Sequence, residues 1–148
     1  MPKVVARFTD GRMLKGSTGD FVPARKLFHV TVESAPPGSK PIPVHFKDLK
    51  AVFFVKDFAG NPSYQDYQEF DPNRPVLGRK MKVVFNDGEV VVGTTQGYLP
   101  GRQGFFIMPA DPNSNNERCF VVIEATAAIT PIETSSKIPG RMTPVGSK

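Results

Sequence analysis

The chain has one cysteine, no tryptophan and only two histidines. A single cysteine excludes an intramolecular disulfide and leaves any metal site short of soft ligands. That residue, Cys119, lies in the apolar run "ERCFVVI", where a thiol is expected to be buried and inert. Long apolar stretches are missing too: nowhere do about eighteen apolar residues run together, as a membrane-crossing helix requires. The start, "MPKVVARFTDG", carries no signal-peptide core, so a soluble, cytoplasmic protein is expected. No phosphate-cradling glycine loop, zinc-binding helix motif or nucleophile elbow occurs. What the 148 residues do hold is 15 prolines, 13 glycines and 12 phenylalanines, a mixture that favours short strands joined by turns. The composition predicts an all-β protein without a metal or cofactor.

The chain also says most things twice. A constant shift of 77 residues lays 3–55 over 80–132 without a gap. It matches "FTDGRMLKG" with "FNDGEVVVG", then Pro23 with Pro100, Arg25 with Arg102, Phe28 with Phe105 and Val44 with Val121. So long a register identifies an internal duplication. Each copy begins with an alternating strand and an Asp-Gly pair, Asp10-Gly11 or Asp87-Gly88, which predicts a two-residue type I′ hairpin. The returning strand contains a glycine, Gly16 or Gly93, where a missing side chain permits a bulge or sharp bend. Three more strands follow in each copy: "LFHVTV", "PVHF" and "KAVFFV", then "GFFIM", "RCFVVI" and "AAITPI". Five bent antiparallel strands per copy predict two tandem small β-barrels, at residues 1–58 and 80–135. In the linker, 59–79, Asn61-Pro62 reads as a helix cap and first position. Tyr64, Tyr67 and Phe70 recur every third residue, which predicts a short helix. Residues 136–148, with few apolar groups, read as a flexible tail.

A strand, Asp-Gly and a second strand with glycine five residues after the turn resemble the first signature of the Sm-like RNA-associated family. "VHFKDLKAVFFV" is similar to its second signature. The resemblance implies a five-stranded Sm-like barrel in each copy. The uridine pocket of that family does not carry over: "GDFVPARKLF" has Asp20 but no asparagine, and "QGYLPGRQGFF" has neither. The later turn is Lys47-Asp48 in one copy and Glu124-Ala125 in the other, where the family has arginine and glycine. As a tandem, the chain is similar to an uncharacterised bacterial domain family of duplicated barrels, which implies no catalytic residues.

Net charge is +5, unevenly spread. Residues 1–58 hold ten Lys or Arg against five acids, whereas 80–135 hold four against six. A polyanion would therefore meet the first copy, through Arg7, Arg12, Lys15, Arg25, Lys26, Lys47 and Lys50. Strand alternation makes Arg7 solvent-facing. Arg25 and Arg102, each following a proline in matched loops, read as a duplicated structural corner before they read as paired anion forks. His29 and His45 align with Phe106 and Val122, an exchange suited to half-buried strand positions and not to a required base. Three functions follow. The first is a non-catalytic adaptor that binds a protein partner or its own copies, using strand edges such as "AVFFV". The second is RNA or DNA binding through the basic first copy. The third is a PilZ-like cyclic-dinucleotide receptor using Arg74 and Arg79, whose spacing is one residue too long and whose second Asp/Asn-x-Ser-x-x-Gly motif is absent.

Overall fold

The alternation of "KVVARF" and its copy places Val4, Ala6, Met81 and Val83 on buried faces of the first strand of each half. A computed structural model describes residues 1–59, 70, 77–99 and 101–132. Its first half runs β1 (Lys3–Phe8), β2 (Met13–Ser17), β3 (Leu27–Val32), β4 (Ile42–His45) and β5 (Leu49–Val55). The second half repeats it as β6 (Arg79–Phe85), β7 (Val90–Thr95), β8 (Gly104–Pro109), β9 (Asn116–Val122) and β10 (Thr126–Pro131). A single 3-10 turn precedes the last strand of each half, at Phe46–Asp48 and Ile123–Ala125. No α-helix occurs among the described residues. Most of the helix expected in the linker, together with Arg74 and the tail, lies outside them.

The protein is all-β, a single open antiparallel sheet in the order β10-β6-β7-β8-β9-β5-β1-β2-β3-β4. Strand order within each half is the same, as a duplication requires. Two separate closed barrels are not what the pairing gives. One edge of β5 pairs with β1, and the other is taken by β9 of the second half, with Val52 opposite Phe120 and Phe53 opposite Cys119. This also corrects the expectation that "AVFFV" offers a free edge: all seven residues of β5 are buried.

The β5–β9 junction explains why these two strands read as continuous apolar runs. A strand covered on both faces cannot alternate. Val52, Phe54, Phe120 and Val122 enter one core with Val4, Phe28 and Phe46. Ala51, Phe53, Cys119 and Val121 enter the other with Met81, Val83 and Phe105. Each core therefore draws side chains from both copies. Burial lifts the Cys119 thiol far above its ordinary pKa, so it stays protonated.

The hairpins differ from the type I′ expectation. The Gly11 amide donates to the Phe8 carbonyl, and Phe8 N–H donates to Arg12, so the loop is three residues, Thr9 to Gly11. Gly11, at φ +96°, supplies the left-handed third position that closes such a loop as a bulge. Asn86, Asp87 and Gly88 (φ +93°) do the same in the second half. Gly16 and Gly93 answer a different need: β2 meets β3, and β7 meets β8, at these residues. A Cβ on Gly93 would fall on the Met108 carbonyl, and one on Gly16 on the Thr31 carbonyl.

The two outer edges are β4 and β10. Phe46 N–H donates inward to Lys26, so by alternation Val44 and Ile42 also face β3, while Pro43 and Pro41 occupy outward positions. Ile132 N–H donates inward to Lys80, which puts Pro131 on the outward side of β10. Prolines thus stand where an added strand would need donors.

Candidate functional site

Of the seven cations expected to meet a polyanion, the structure engages four elsewhere. Arg12 closes on its own turn, with Nε donating to Asp10 Oδ2 at 2.7 Å and the guanidinium 4.6 Å from the Phe8 ring centre. Asp10 is held below its usual pKa by the Arg12 backbone N–H and then by its side chain. Lys15 donates to the Phe58 carbonyl at 3.0 Å. Arg7, half-buried and not the free surface charge expected, lies 3.5 Å from Glu89. Lys50 is buried, donates to Asp87 at 2.7 Å and to Glu89, and sits 4.8 Å from the Phe85 ring centre. Its hydrogen bond, followed by the Glu89 backbone N–H, depresses the Asp87 carboxyl. Only Arg25, Lys26 and Lys47 remain exposed without a carboxylate partner among the described residues. Two cations of the first copy, Arg7 and Lys50, therefore hold the hairpin of the second.

Arg25 and Arg102 do mark a duplicated corner. Each donates its backbone N–H three residues back, to Val22 and to Leu99. Gln103 then crosses between copies, its side-chain amide donating to the Pro23 carbonyl and, at 2.8 Å, to that of Arg25. Arg79 is exposed at the start of β6, opposite Thr95.

The two loops behind these corners have diverged. In the first, Asp20 accepts from the His29 backbone N–H at 2.9 Å, lies 2.7 Å from His29 Nδ1, and bonds Thr18. These contacts, the backbone one foremost, hold Asp20 below its usual pKa. The pinned loop inserts Phe21 among five rings, edge-on to Phe28, Phe46, Phe54 and Phe120, with centroid distances from 4.9 to 5.4 Å for these four. His29 and His45 are both exposed, not half-buried as expected. In the second loop Gly97 replaces Asp20 and Phe106 replaces His29, so the pin is gone. Among the rings of the described residues Tyr98 touches only Phe105.

A groove of about 490 Å³ opens beside that unpinned loop. Thr94, Gln96, Leu99, Arg102, Phe106, Met108 and Arg118 line it together with Pro23 of the first copy. Leu99 is 53% exposed and Met108 48%. The Arg118 guanidinium lies 4.3 Å from the Phe54 ring centre and 4.5 Å from that of Phe106. Neither Arg102 nor Arg118 has a carboxylate partner among the described residues. A second, smaller cavity of about 200 Å³ follows the Lys50 clasp and is floored by Leu49 and Phe85. Among the described residues no cluster of three or more His, Cys, Asp or Glu could hold a metal, and no helix is long and apolar enough to cross a membrane.

Sequence reasoning missed the groove. Arg118 reads as one charge at the end of an apolar strand, and Leu99 as a loop residue. The usable signal was the divergence of aligned positions, Asp20 to Gly97 and His29 to Phe106. Residues 1–132 match a family of unknown function, DUF6982, and the chain belongs to that family. No curated protein and no solved structure matches it.

Proposed function

We propose that the chain is a non-catalytic binding module, two Sm-like units fused through their sheet edges, that holds a partner protein as an adaptor. The groove carries this reading. It combines exposed aliphatic side chains with two guanidinium groups that have no carboxylate partner among the described residues, and Met and Arg are enriched at protein interfaces. Its lining comes from the second copy except for Pro23 of the first, so the junction of the units completes it. Outward prolines at positions 41, 43 and 131 argue against assembly of copies through the sheet edges. Neutralisation of Arg7, Arg12 and Lys50 argues against a polyanion on the first copy.

A photoreactive residue placed at Met108 and activated in cells separates these readings by the class of adduct. Protease-sensitive adducts containing a second protein are expected. Nuclease-sensitive adducts, or adducts of the chain with itself, would refute the proposal.

A further inference from the structure

The geometry points to an acidic peptide segment as the occupant of the groove: a carboxylate flanked by an aliphatic side chain, presented by a partner protein. This rests on the binding-module reading and specifies what such a module would hold. Arg118 is the anchor. Its guanidinium carbon lies 4.3 and 4.5 Å from the ring centres of Phe54 and Phe106, which are themselves 5.9 Å apart, so this adjacent pair of rings holds the cation in place before any ligand arrives. A fork fixed in this way matches a carboxylate through two parallel hydrogen bonds. Arg102 lines the same groove and adds a second fork. Leu99 and Met108, both about half exposed, give the segment's aliphatic side chain a place to leave water. The volume of about 490 Å³ is that of a site for a few side chains.

Nucleic acid fits less well, for two reasons on the same wall. Bases need open ring faces to stack upon. Here Arg118 lies against Phe54 and Phe106, Tyr98 lies against Phe105, and Phe120 is buried. The surrounding half is also net acidic, four basic residues against six acids over 80–135, so no extended positive field accompanies the two arginines.

Selection of a random peptide library on the immobilised full chain tests this, followed by fluorescence polarisation of the enriched peptides. Enriched sequences are expected to place Asp or Glu within two residues of Leu, Ile or Met. Arg102→Glu with Arg118→Glu should weaken them about a hundredfold or more, since both charge-assisted contacts are lost and like charges face the ligand instead. Arg118→Lys should recover only part of the loss, because an ammonium cannot present the fork. An unchanged denaturation midpoint controls for folding. Peptides without acids that survive the charge reversal but are lost on Leu99→Asp with Met108→Asp would overturn the acidic ligand and leave the binding module standing. No enrichment, together with salt-steep binding of an oligonucleotide, would overturn both.

Discussion

Replacing Asp87 and Glu89 together by Asn and Gln is expected to cost more stability than replacing the lysine they hold. The asymmetry follows from burial. The Lys50 side chain is 6% exposed, whereas Asp87 and Glu89 are 55% and 39% exposed. Removing the carboxylate charges strands an ammonium in the junction between copies, and a buried charge left without its partner costs about 3–5 kcal/mol. The low end, about 3 kcal/mol, applies here, because the amides still offer acceptor oxygens to the ammonium. Lys50→Met does the reverse: the two carboxylates return to water, and an apolar chain of similar length packs on Phe85. That exchange should cost about 1 kcal/mol or less. Urea denaturation of the three proteins reads the difference directly. A Lys50→Met variant less stable than the double carboxylate variant would refute the reasoning. Acid supplies a second check. Asp87 titrates below its unfolded value of about 3.8, so its contribution is complete above that pH and is lost as the pH falls through the lower, folded value. Wild type should therefore lose its advantage over Lys50→Met below about pH 4.

Gly93→Ala should destabilise by about 3 kcal/mol or more, since the new Cβ meets backbone of the paired strand, which cannot rotate away. Gly88→Ala, with open space but φ at +93°, should cost about 1 kcal/mol; equal losses in thermal denaturation would contradict the assignment. Replacing Pro41 and Pro43 by Val restores an outward donor on β4 and another just before it, and sedimentation velocity should then show concentration-dependent association absent from wild type. Identical sedimentation of both proteins would remove the prolines from the account of why the sheet stops at ten strands.

The duplication, the strands and the all-β class were legible in the sequence because they are local: alternation, Asp-Gly turns and a constant shift of 77 residues leave marks within a few positions of one another. The mixed use of β5 was half visible. "AVFFV" is apolar without alternation, yet nothing in the run says that its second neighbour is β9, since pairing partners more than about 60 residues apart are chosen by three-dimensional fit. The same holds for charge. Arg7, Arg12, Lys15 and Lys50 look alike along the chain, and only the fold turns one inward onto Asp87, sets another beside Glu89 and closes a third on its own turn. The groove depended on tertiary structure most of all. Loss of the Asp20–His29 pin could be read from the aligned copies, but the convergence of Arg102, Arg118, Leu99 and Pro23 needed the two halves joined, because no short stretch contains them. Sequence determined the units and their turns through local sterics and periodicity; the junction, the clasp and the groove were decided by long-range burial, which has no local signature.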